Sequence, residues 1–270
     1  FMSLYTPLEV TLNTLELWIK KWGHSFRRTL VLWILGWMFV AMWACFSINT
    51  VTWMSWVEPY GLLRLFAWIV FCLGLILVIL GWGELFTWNV LLVIAWLEKK
   101  ITTSNFLKNL VWVYLGNLIG SLIIVGLLYF WGWHTFNDGA VGKTLLWAAT
   151  HKLEYGFTPA LFLWILCNIF VCLALWIAYA WKTLTDKVVA TIFPITAFAA
   201  LWFEHCVANM FYIPYGYILN ITTGAHNHAF AIKNILLNSQ LPVTIWNFLG
   251  WVVFVGLVYW ALFIKFKKQH

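Results

Sequence analysis

An acid, an imidazole and an amide stand together in the stretch Phe203-Glu204-His205-Cys206-Val207-Ala208-Asn209-Met210. On either side, residues 188–203 and 206–225 contain no Lys, Arg, Asp, Glu or His. If this run crosses a bilayer, Glu204 and His205 lie near its mid-depth. Ionisable groups there cost several kcal/mol unless they face a bundle interior or a wet cavity, so they are candidates for function. An imidazole in that position can accept, hold or pass a proton near neutral pH. The neighbouring carboxylate suits a bracing role, hydrogen-bonding irregular backbone beside a helix break. Glu84 and Asn89 repeat the five-residue spacing of Glu204 and Asn209 in a second apolar run. Asn168 and Asn209 are amides in apolar spans that either line a pore or bridge helices. Lys152 reads by itself as a solvated loop charge, and Phe71, Leu75 and Phe198 as packing residues. The pair His226 and His228 lies in a polar loop without a third ligand at recognisable spacing, so no metal or other cofactor is expected. No zinc-protease, phosphate-loop or nucleophile-elbow motif is present, and no enzymatic activity is expected.

The elements that must position these groups follow from composition. The 270 residues are 64% hydrophobic and 9% charged, against about 25% charged in soluble domains. The apolar runs are continuous and long rather than alternating, which predicts an all-α integral membrane protein. The net charge of +7 is spread without a basic cluster, so nucleic acid is not an expected partner; the lipid bilayer is. The five cysteines all lie in apolar runs and are expected to be free thiols. No cleavable signal peptide is expected.

Residues 1–28 read as an amphipathic segment at the membrane surface, ending in Lys20, Lys21, Arg27 and Arg28. Spans follow within 30–57, 65–97, 109–133, 157–181, 188–219 and 242–264, with a turn at Glu58-Pro59-Tyr60-Gly61, polar loops at 134–154 and 220–240, and a basic tail over 266–270. A straight helix over 65–97 would run about 50 Å, too long for a hydrocarbon core of about 30 Å. It should break at Gly81-Trp82-Gly83-Glu84, with Glu84 capping the second half, and 188–219 should break beside Glu204 in the same way. With the N-terminus inside, 12 of the 16 Lys and Arg residues fall on the cytoplasmic side, which predicts cytoplasmic N- and C-termini.

The halves echo each other. Leu115-Gly116-Asn117-Leu118-Ile119-Gly120 with Gly126 and Tyr129 returns as Ile245-Trp246-Asn247-Phe248-Leu249-Gly250 with Gly256 and Tyr259. Trp33-Ile34-Leu35 matches Trp164-Ile165-Leu166. Three spans per half is an odd number, so the expected channel domain over 29–265 consists of two inverted repeats, about 29–133 and 157–264. Interrupted helices at matching positions of inverted repeats point to a permeation site.

The sequence resembles the formate/nitrite transporter family. The resemblance rests on Gly83-Glu84-Leu85-Phe86-Thr87, Gly116-Asn117 with Gly120-Ser121, Cys167-Asn168 with Val171-Cys172-Leu173-Ala174, Phe203 to Phe211, and Leu241-Pro242-Val243-Thr244-Ile245 with Asn247. It covers about residues 20–264. Phe71 to Leu77 and Lys182 to Lys187 look more like the formate-channel branch. The resemblance implies an aquaporin-like protomer of six transmembrane helices, a homopentamer, and a multi-pass location in the cytoplasmic membrane. It implies a channel or proton-coupled transporter for formate and related monovalent anions, with nitrite or hydrosulfide as the alternative cargo. In that reading Leu75 and Phe198, with Phe71 nearby, form a constriction, and Phe86, Asn168, Val171 and Asn209 line the pore. His205 with Thr87 relays a proton, Lys152 draws anions into a vestibule, and Glu84 and Glu204 support the breaks. A membrane-embedded metalloenzyme using His205, Glu204 and His226/His228 is the alternative from another class.

The 22 tryptophans depart from that pattern. Trp82, Trp88, Trp164, Trp181, Trp202, Trp246 and Trp251 mostly fall where the family has glycine or another small residue. The repeat shows the same thing internally, since Gly116 corresponds to Trp246 and Ser121 to Trp251. Small residues there let helices approach. Adaptation, redesign, or a genome in which UGA encodes glycine would each produce such a pattern; the last would replace only a subset and leave the 17 glycines that remain. If retained, Trp82 and Trp202 would narrow or block a pore, leaving a non-conducting membrane protein.

Overall fold

The computed structural model describes residues 4–54, 60–155, 157–200 and 204–266, without the side chains of residues 60, 157–160, 164, 165, 168 and 198. Among the described residues the chain is helical, and its sole β feature is an isolated bridge between Leu4 and Trp181. Residues 58 and 59 of the expected turn at 58–61, Trp202, Phe203 and most of the tail at 266–270 lie outside the described residues; residues 60 and 61 already belong to a helix.

α1 (Pro7–Trp22) starts at a capping box: Thr6 Oγ1 accepts from Glu9 N, and Glu9 Oε2 accepts from Thr6 N at 2.7 Å. Its buried face carries Val10, Thr14, Leu15, Trp18 and Lys21 and packs on the rest of the protein. The long apolar helices are α2 (Phe26–Trp53), α3 (Tyr60–Leu80), α6 (Thr103–Trp131), α8 (Phe157–Ala180) and the final α11 (Asn234–Lys265), which is π-helical in three stretches. Four of the described helices are long and apolar enough to cross a membrane. Their outward faces carry exposed Phe130, Phe162, Leu127 and Val111, as expected of lipid-facing surface. The protein is a multi-pass membrane protein.

Two runs are broken. α3 ends at Leu80, residues Gly81 to Leu85 are non-helical, and α4 (Phe86–Asn89) and α5 (Leu92–Leu97) follow. α9 (Leu184–Ala200) ends before a non-helical Glu204 and His205, and α10 (Cys206–Thr222) follows. Packing is parallel in the two halves: α2 lies against α3 and α6, α8 lies against α9 and α11, and α3 meets α9. The first break reaches α2 through a backbone contact. Glu84 N donates to Leu32 O at 3.1 Å. A Cβ on Gly36 would come within 2.6 Å of Glu84 O, so only glycine allows this approach.

The polar stretch 134–154 is not a loop throughout. It contains α7 (Ala140–His151), whose Val141, Leu145, Ala148 and Ala149 are buried, and which packs on α10. The apolar positions recur at helical spacing, and that periodicity outweighs the scattered charges. All five cysteines are free and buried.

Candidate functional site

Each break ends at a helix N-terminus whose backbone amides need acceptors. An asparagine from another helix supplies one. Asn117, on α6, accepts from Phe86 N at 2.8 Å and donates to Glu84 O at 2.9 Å and Trp33 O at 2.7 Å. Asn247, on α11, accepts from Cys206 N at 2.8 Å and donates to Glu204 O at 3.2 Å. The glutamates do not cap the half-helices as expected. Glu84 Oε2 accepts from Asn89 Nδ2 at 2.9 Å and Trp33 Nε1 at 3.0 Å. Glu204 Oε2 accepts from Asn209 Nδ2 at 3.0 Å. Each carboxylate thus fastens the break to the first turn of the next helical segment.

Each glutamate also faces a lysine. Lys152 Nζ lies 2.8 Å from Glu204 Oε1 and 5.3 Å from the Tyr212 ring centre. Lys152 is therefore a partner of Glu204 and not a solitary loop charge. Lys21 Nζ lies 3.8 Å from Glu84 Oε1, an ion pair without a hydrogen bond. Burial pushes the Lys21 ammonium below its usual range, against the opposing pull of Glu84. Lys21 was not singled out from the sequence. The clue was its spacing: it stands as far before Lys152 as Trp33 stands before Trp164.

His205 is the N-cap of α10, in extended conformation. Ala208 N donates to His205 Nδ1 at 3.3 Å. Nδ1 is thereby an acceptor, which places the proton of the neutral ring on Nε2. Nε2 faces Thr87 Oγ1 at 3.2 Å. The two breaks meet through this pair, and Thr87 owes its place to the amide of Phe86, which Asn117 holds.

Three cavities, joined by shared lining residues, surround the site. The central one, about 40 Å³, is lined by His205, Leu75, Phe71, Val171, Trp43 and Trp88 among others. On the Lys152 side a cavity of about 420 Å³ is lined by Arg64, Lys143, Lys152, Trp147, Phe71 and Ala208 among others. On the Lys21 side one of about 460 Å³ is lined by Lys21, Lys182, Lys187, Trp82, Trp88 and Tyr179 among others. Phe71 and Ala208 separate the first pair of cavities, and Trp88 separates the second.

Not every expected lining residue faces this line. Phe86 packs edge-on to Tyr114 and lines a groove between α6 and α11 instead. The half-helix turns its first side chain away from the histidine. Asn209 is fully buried and spends its amide on Glu204. The side chains of Asn168 and Phe198 lie outside the described ones. His226 and His228 sit in the loop after α10, with His226 at φ 45°. Among the described residues no three of His, Cys, Asp and Glu come together as a metal site. Trp43 and Trp88, which face the central cavity, were not expected there.

The family model described as formate/nitrite transporter matches residues 8–261. The formate channel FocA of Escherichia coli (strain K12) is 35% identical over 254 residues, covering 90% of this chain and 89% of that protein. The formate channel FocA of Haemophilus influenzae is 39% identical over 210 residues, covering 74% of each. Among solved structures, a pentameric formate channel with formate bound matches with a TM-score of 0.78 at 32% identity, over 88% of this chain and 98% of that one.

Proposed function

The chain belongs to the formate/nitrite transporter family, and on that premise we propose that it moves formate and related small monovalent anions across the cytoplasmic membrane, as a channel or a proton-coupled transporter rather than an enzyme. The arrangement is six crossings in two inverted repeats, with both termini cytoplasmic. The protomers assemble as a homopentamer, each with its own pore.

The observation that carries this reading is the position of His205. Its Nε2 lies 3.2 Å from Thr87 Oγ1 beside a small, mostly apolar cavity flanked by two larger, lysine-bearing ones. The lysines at either end raise the local concentration of anions. A bare anion cannot cheaply enter the apolar centre. A weak acid can, once protonated: as an imidazolium, His205 gives its Nε2 proton to the anion and returns to the neutral ring. Thr87 orients the ring, and Glu204 and Glu84 hold the two breaks that present the pair.

Formate flux into proteoliposomes, measured against pH, tests the mechanism. The wild-type rate should rise as pH falls on the formate side, and His205→Phe should lose both rate and pH dependence. Bidirectional, pH-dependent flux at wild-type rates in His205→Phe would refute the relay. Nitrite and hydrosulfide, measured in the same vesicles, should move more slowly than formate. Native mass spectrometry should return a pentamer.

A further inference from the structure

The tryptophans fall into two groups. Trp33, Trp96, Trp133 and Trp260 donate their indole N–H to Glu84, Thr103, Asn49 and Glu98 at 2.8 to 3.0 Å. These behave as buried or half-buried tryptophans should, with the polar end paired. Trp18, Trp37, Trp43, Trp88 and Trp251 are buried with no acceptor for the indole N–H. An unpaired buried donor is costly, and five of them in one fold are out of pattern. Trp18 is set apart by its place on α1, where its ring faces the Lys21 ammonium at 4.7 Å.

Three of these five also disagree with the repeat. At the spacing that relates Glu84 to Glu204 and Asn89 to Asn209, Trp88 corresponds to Ala208. At the spacing that relates Asn117 to Asn247, Trp251 corresponds to Ser121, whose hydroxyl donates to Met210 O at 2.6 Å. At the spacing that relates Trp33 to Trp164, Trp43 corresponds to Ala174. Trp43 is also crowded: a Cβ added to Gly74 would fall within its ring.

Trp82 adds a backbone argument. It sits between Gly81 and Gly83 at φ 58°, in the left-handed region, and is 55% exposed. A bulky side chain there is a steric outlier, and burial does not compensate it. Glycine adopts that conformation without penalty.

We infer that the fold and its pore are built for glycine, or a residue as small, at Trp37, Trp43, Trp82, Trp88 and Trp251, and that tryptophan at 43 and 88 is what reduces the central cavity to about 40 Å³. Trp88 lines both that cavity and the one on the Lys21 side, so its replacement by glycine should widen the way between them. Decoding of UGA as glycine in the source cell accounts for all five positions at once. It would leave tryptophans encoded by UGG unchanged, and paired Trp260 is expected to be one of them.

Two measurements test this, and only the second rests on the channel reading. Peptide mapping of the protein purified from its own cells should find glycine at the five positions and tryptophan at 260; tryptophan at the five positions overturns the inference. In proteoliposomes, a chain carrying Trp→Gly at all five should move formate about tenfold faster or more than the chain as written. Its thermal midpoint should be higher by about 4 °C or more, and Trp260→Gly alone should lower that midpoint. Equal or lower flux together with a lower midpoint overturns the inference. Glycine in the native protein and a raised midpoint without formate flux would uphold it and refute the channel reading.

Discussion

Asn117 is the best place to test how the first break is held. Its side chain serves Phe86 N, Glu84 O and Trp33 O within 2.7 to 2.9 Å, and it is fully buried. Asn117→Leu keeps the volume and removes all three bonds. Trp33 O belongs to a residue inside α2, where it can also accept within the helix, so its loss costs least. Phe86 N and Glu84 O are left buried without partners, at about 1–3 kcal/mol each. The expected destabilisation is therefore about 2–6 kcal/mol. At roughly 2–4 °C per kcal/mol for a chain of this size, the thermal midpoint should fall by about 4–24 °C. The assay is thermal unfolding of the purified protein in one detergent, with Asn105→Leu at the start of the same helix as a control. A midpoint for Asn117→Leu within about 1 °C of wild type would show that the break does not depend on this amide, and the account of the site would fail with it.

Other perturbations give distinct outcomes. Lys152→Met leaves the Glu204 carboxylate buried without its cation and should cost about 3–5 kcal/mol, and adding Glu204→Gln should recover most of that in the same unfolding assay. Gly36→Ala puts a methyl group within 2.6 Å of Glu84 O and should cost about 1–3 kcal/mol or more by forcing the break away from α2; unchanged stability would contradict that contact. Glu9 titrates below the ordinary carboxylate range because the Thr6 backbone N–H and hydroxyl donate to it. Its contribution to the start of α1 is present above the ordinary glutamate value and is lost as pH falls through the lowered one. Hydrogen exchange of the first α1 amides should accelerate across that window, and no change there would remove the capping box from the account.

Much of the fold was legible because charge is rare in this chain. One acid in a long apolar run stands out, and two such runs with the same following asparagine locate both breaks. What holds the breaks was less legible. Asn117 and Asn247 could be matched by sequence, but an asparagine in an apolar helix looks alike whether it caps a neighbour or faces a pore. The side on which Phe86 falls is not legible either, because the direction of the first side chain of a half-helix depends on how its N-terminus is anchored. α7 was hidden by His134, Asp138 and Lys143, which drew attention from the helical spacing of Val141, Leu145, Ala148 and Ala149. Lys21 read as one of four basic residues in a surface segment; only its place in the repeat separates it from Lys20.

The bond from Ala208 N to His205 Nδ1 limits what the histidine can do. While it lasts, the ring has a single exchangeable proton, on Nε2, and no second site at which to store one. A neutral ring is too weak an acid to protonate formate. To become an imidazolium, Nδ1 must release Ala208 N and take up a proton, so each proton passed to an anion is tied to fraying of the first turn of α10.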